Sequence, residues 1–211
     1  MSTSPDFAAT RNALLRRGRR LEIFTVLWNS IEGVVSVALG IAAGSIALVG
    51  FGMDSFVETS SGLILLWRLK SGRDAATEQR VEQRALKLVG LSLLALAVYI
   101  TFEAAASLWT REAPQPSTIG IALACVSLVV MPILARAKRR VGMQLGSRAL
   151  IADSFQTSIC MYLSVILLGG LLLNASFGFW WADPLAALVM VPIVVREGIE
   201  ASRGKHCDDC S

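Results

Sequence analysis

Apolar residues fall into six long runs, at about residues 21 to 43, 46 to 67, 88 to 110, 118 to 135, 149 to 173 and 180 to 196, parted by short polar or charged segments. An α-helix crosses the hydrocarbon of a bilayer with roughly 20 residues, so each run predicts a membrane span, the fourth and sixth drawing length from their charged ends. Ala113-Pro114-Gln115-Pro116 predicts a turn. Residues 73 to 87, where Glu78 and Glu82 are spaced against arginines, predict a short charged helix. The fold class that follows is an all-α integral membrane protein of six transmembrane helices.

Composition agrees. Hydrophobic residues make up 54% of the 211, charged residues 17%, and mean hydropathy is +0.59, too apolar for a soluble domain. Of twenty Lys and Arg residues, nineteen lie before the first run, between the second and third, between the fourth and fifth, or at and beyond the end of the sixth. Arg111 alone falls on the other side. The positive-inside rule then puts both termini in the cytoplasm, at a plasma or inner membrane. The net charge of +4 and pI near 9.1 describe a basic rim beside lipid headgroups, which argues against nucleic-acid binding. Residues 1–20 are too polar and basic for a signal peptide and form a basic cytoplasmic segment. Residues 21–200 form the six-helix domain, and 201–211 a cytoplasmic tail after which no soluble domain is expected.

The predicted spans contain Glu32, Asp54, Glu58, Glu103, Asp153 and Asp183, with no Lys or Arg placed clearly among them. A carboxylate in hydrocarbon must find a partner, face water or take up a proton, and a transported cation or proton would serve. Asp54 and Glu58 stand one helical turn apart near the middle of the second run. Glu32, with Asn29 one turn earlier, and Glu103 are candidates for a proton relay or for hydrogen bonds between helices. Asp183, followed by Pro184, reads as a helix cap.

Gly44-Ser45-Ile46-Ala47-Leu48 recurs as Gly146-Ser147-Arg148-Ala149-Leu150, and polar residues follow each serine at the ninth and thirteenth positions: Asp54 and Glu58 in one copy, Gln156 and Cys160 in the other. Two helices offering such pairs can enclose a cation. Asp153 shares the face of Gln156 and Cys160, one turn away, as a further ligand or a residue on the cation's path. Cys125, by contrast, reads as a small packed apolar residue. In the tail, His206, Cys207 and Cys210 supply a CxxC spacing that is half of a soft-metal site. The cysteines give no reason to expect disulfides.

These residues, with Trp181-Ala182-Asp183-Pro184-Leu185-Ala186-Ala187-Leu188 opening the sixth run, resemble the cation diffusion facilitator family of proton-coupled exporters of zinc and related divalent metals. The resemblance covers about Leu21 to Arg203. It implies a homodimer with a mid-membrane metal site shared by the second and fifth helices, here Asp54, Glu58, Gln156 and Cys160. Gln156 and Cys160 replace what is commonly His and Asp, and the family's cytoplasmic C-terminal domain and histidine-rich loop are missing from this sequence. Carboxylate and amide oxygens favour manganese, iron(II) or magnesium, while the thiolate favours zinc, cadmium, cobalt or copper(I), so the ligand set selects no single metal. Ligands must lose protons to bind metal, which gives a proton antiport cycle. The two copies of the repeat run antiparallel, as in transporters that expose a midplane site alternately.

Two other readings stay open. A proton-coupled exporter of organic cations would use the same acids with Trp28, Phe51 and Phe56, and a non-transporting subunit or metal sensor would use the tail cysteines. No enzyme is indicated, because no nucleophile stands beside a base, no phosphate loop is present and there is one histidine. No permanently bound cofactor is expected; the partners are the metal cation, the proton and the lipid bilayer.

Overall fold

The computed structural model describes residues 5–70, 75–111 and 114–203. Among them are six helices: α1 (Pro5–Ala43), α2 (Ile46–Lys70), α3 (Ala75–Thr110), α4 (Thr118–Leu145), α5 (Arg148–Phe177) and α6 (Ala182–Ser202). All six expected runs are helical, and several helices outrun them. The basic N-terminal segment is continuous with the first span, because α1 starts at Pro5, a residue suited to a first helical turn. At 1.5 Å per residue α1 is about 58 Å long, well beyond a hydrocarbon core of about 30 Å. The segment expected as a separate charged helix before the third span is instead, from Ala75 onward, the first part of α3. Among the described residues four helical stretches are long and apolar enough to cross a membrane, Thr10–Ala43, Gly90–Thr110, Thr118–Leu145 and Asp153–Phe177. The other two helices, α2 and α6, carry acidic residues in their apolar sequence.

The repeated Gly-Ser sequence builds the same joint twice. Gly44 and Gly146 adopt left-handed backbone (φ 68° and 62°), which ends the preceding helix where a side chain would be strained. Ser45 and Ser147 follow, and their hydroxyls accept the backbone N–H of Leu48 (3.1 Å) and Leu150 (3.4 Å) as N-caps of α2 and α5. A second glycine precedes each joint by four residues. A Cβ on Gly40 would sit 2.8 Å from the Val49 nitrogen, and one on Gly142 3.1 Å from the Ile151 nitrogen, so both hairpins close tightly at equivalent points. The α1–α2 and α4–α5 hairpins are thus matching antiparallel pairs.

The α3–α6 pair packs backbone against backbone at Gly90, where an added Cβ would meet the Gly198 carbonyl oxygen at 2.6 Å. Pro114 to Ser117 are non-helical, as expected for a turn. This stretch docks through Gln115 N–H to the Ala43 carbonyl (2.8 Å) and Asn174 Nδ2 to the Pro114 carbonyl (2.9 Å). Leu48, Phe51, Ile100, Met131, Leu163, Leu167 and Met190 fill the core. Large apolar side chains such as Ile41, Val98, Phe102 and Trp109 point outward, as a lipid-facing surface requires. Phe177, Phe179 and Trp181 stack in series at the α5–α6 turn, with centroids 5.5 and 5.3 Å apart, in the manner of an interfacial aromatic belt. Cys125, expected to be packed, is exposed on α4: its neighbour Ala124 takes the inward position.

Candidate functional site

Inside this apolar shell runs a polar seam. On α1 the buried polar residues are Glu22, Thr25, Asn29, Glu32 and Ser36, spaced by three and four so that they share one helix face. Asp54, Ser55 and Glu58 come from α2, Asp153, Thr157 and Ser164 from α5, Lys138 from α4 and Glu197 from α6, all buried. Polar groups this deep need partners inside the protein, and their pairing defines two neighbouring clusters.

Lys138 organises the first. Its Nζ donates to Asp153 Oδ2 (2.5 Å) and Thr157 Oγ1 (3.2 Å) and pairs with Glu22 Oε1 at 3.4 Å. Thr157 Oγ1 in turn donates to Glu58 Oε1 at 2.6 Å. Four helices meet through one ammonium group and one hydroxyl. The expectation that no base lies among the buried acids is therefore corrected: Lys138, counted with the cytoplasmic arginines, is fully buried. The cause is that α4 continues to Leu145, and Lys138 falls in the buried series Gly120, Ala124, Ser127, Met131, Leu134, Lys138 and Val141. Its basic neighbours Arg136, Arg139 and Arg140 fall on the exposed face, where the Arg139 guanidinium lies 5.3 Å over the Phe155 ring.

The second cluster holds the remaining acids. Asp54 lies against the Glu197 carboxyl within hydrogen-bonding reach. Glu32 Oε2 accepts from Ser55 Oγ at 3.1 Å and faces the Cys160 thiol at 4.0 Å. Asn29 stands beside Glu58, and the Trp28 indole beside Glu32. Glu58 Oε2, Glu32 Oε1, Asp153 Oδ1 and Glu22 Oε2 are buried with no hydrogen-bond partner. Trp28 Nε1, Asn29 Nδ2 and Ser36 Oγ are likewise buried without a partner, so the seam holds both acceptors and donors that its own hydrogen bonds leave unused.

The structure sorts the expected residues. Asp54, Glu58 and Cys160 are buried on the seam, and Asp153 is there too but already carries Lys138. Gln156 is half-buried, and it is Thr157, one residue on, that touches Glu58. Among the described residues no three His, Cys, Asp or Glu side chains converge as a ready metal cage. Glu32 bonds between helices while facing the acidic pair. Glu103 stands apart, half-buried in a cavity of about 450 Å³ beside Gly44, Ser45 and Tyr99. Asp183 is a cap, but of α2 rather than its own helix: it accepts from Ser45 Oγ (2.5 Å), Ile46 N (2.9 Å) and Ala47 N (3.4 Å). His206, Cys207 and Cys210 lie outside the described residues. Sequence reasoning missed Glu22, Lys138, Thr157 and Glu197. The three-and-four spacing of polar residues on α1 and the buried register of α4 were the signals for the first two.

Among the described residues the fold is an all-helical bundle, apolar outside and lined within by carboxylates, which makes it an integral membrane protein in class. Residues 23–203 match the family described as the cation efflux transmembrane domain, and the chain belongs to that family. Similar proteins include an uncharacterized transporter, MJ0449, of Methanocaldococcus jannaschii, 26% identical over 82% of this chain and 63% of the relative. The magnetosome protein MamB of a Magnetospira species is 30% identical over 77% and 57%. Transmembrane protein 163 of Xenopus laevis is 25% identical over 86% and 66%. The chain spans less than two thirds of the length of these relatives.

Proposed function

We propose that this protein exports a divalent metal cation of the zinc type in exchange for protons, through a site centred on Asp54 and Glu58 between α2 and α5. The observation that carries this reading is the burial of both carboxylates one turn apart, with Glu58 joined to α5 through Thr157 and one of its oxygens free. Cation entry into such a site replaces protons on its ligands, and reprotonation releases the cation. Cys160 is the nearest soft donor on α5, and Gln156 and Asp153 complete the proposed ligand set. Glu32, facing Cys160 and Ser55, suits a proton relay to this site. Family membership supports cation efflux as the activity. A homodimer with both termini in the cytoplasm, at a plasma or inner membrane, completes the proposal.

Growth of a metal-sensitive cell across zinc, cadmium, cobalt and manganese tests the reading. The chain should confer tolerance to at least one of these metals, and Asp54→Asn, expressed at the same level, should not. Equal tolerance from both would refute a site at Asp54.

A further inference from the structure

Lys138 is part of no proposed ligand set, yet it sits at the junction of the seam. Its side chain is fully buried, it contacts Asp153, Glu22 and Thr157, and a single hydroxyl separates it from Glu58. Oxygens of Asp153, Glu22 and Glu58 are left without hydrogen bonds around it. One ammonium faces three carboxyl groups whose oxygens are not all engaged, so a second cation entering this weakly screened interior would meet both free oxygens and the opposing charge of Lys138. A lysine is also a compact charge on a flexible four-carbon stem, able to shift among oxygens without leaving the cluster.

Resting on the proposed cation site at Asp54 and Glu58, we infer that Lys138 is a tethered internal cation that competes with the cargo. Held on Asp153 and Thr157, its charge opposes the cargo's charge on Glu58, keeping binding weak enough for release. A lysine that served only to hold α1, α4 and α5 together would make no such opposition. Its loss would loosen the bundle and weaken binding.

Isothermal titration of purified protein with zinc alone, beside a thermal melt, separates these roles. Lys138→Gln should bind zinc at least about tenfold tighter than wild type, because one opposing charge has been removed in a weakly screened interior, while its liposome flux falls. Should Lys138→Gln fail to fold, Lys138→Gln combined with Glu22→Gln removes the ion pair as a unit, leaves Asp153 free, and should still bind zinc more tightly than wild type. Affinity equal to or weaker than wild type in the folded variant overturns the inference. Asp54→Asn in the same experiment isolates the underlying reading: zinc lost there, with Lys138→Gln unchanged, sinks the inference and leaves the site standing. Zinc retained in Asp54→Asn but tightened in Lys138→Gln refutes the site at Asp54 and, with it, the inference that rests on that site. An absence of zinc binding from both wild type and Lys138→Gln overturns both.

Discussion

In the proposed ligand set Cys160 and Gln156 are the two members that are not carboxylates, so their substitution tests which cation the site prefers. If both donate, Gln156→His with Cys160→Asp exchanges an amide oxygen for an imidazole nitrogen and a thiolate for a carboxylate. Zinc binding should hold or improve, while cadmium should weaken for want of sulfur. Cys160→Ser should weaken cadmium more than manganese. Titration of both variants with zinc, cadmium and manganese checks this, and an unchanged ranking in both would reduce Cys160 to packing. The burial of Asp54 and Glu58 on one face of α2 was legible in the sequence because carboxylates one turn apart in an apolar run have no cheap structural explanation. Lys138 was not, since a lysine between Arg136 and Arg139 reads as one more basic residue of a membrane rim. Only its register with Met131 and Leu134 on α4 separates it from them. Thr157 and Ser55 were illegible for a different reason: hydroxyls are common in membrane helices, where they bond their own backbone, as both also do here (Thr157 to the Asp153 carbonyl, Ser55 to that of Phe51).

At the scale of elements, the two Gly-Ser joints set where α2 and α5 begin and therefore how Asp54 and Asp153 are placed. Gly146→Ala forces a Cβ into a left-handed backbone and should cost about 1–2 kcal/mol, read as a lowered melting temperature in detergent. Asp183→Ala removes the acceptor that Ser45, Ile46 and Ala47 share, and loss of a cap costs about 0.5–2 kcal/mol. It should lower stability with the cation affinity of the surviving fold intact. A loss of affinity at unchanged stability would mean that Asp183 acts on the cation itself. The helices were legible because their apolar runs end at Gly44, Thr110 and other clear breaks. Their true lengths were not, since a helix satisfies its own backbone and can continue past its apolar run, as α1 and α4 do. Asp183 was read as a cap from its place before Pro184, but no local pattern reveals that it caps a helix 137 residues away in sequence.

For the whole molecule, an apolar exterior around a polar seam makes sense only within a bilayer, and the placement of the basic residues predicts its direction. Single cysteines at Gln144 and Gln115, both exposed, should label oppositely with an impermeant thiol reagent in intact cells, Gln115→Cys reacting and Gln144→Cys protected. The reverse would invert the proposed topology. Under the proposed function the acidic pair of α2 carries the cation in exchange for protons. Reconstituted into liposomes loaded with a pH-sensitive dye, the wild-type chain should answer a zinc or manganese gradient with proton flux, and Asp54→Asn and Glu58→Gln should abolish it while inserting normally. Full flux from Asp54→Asn would contradict the account.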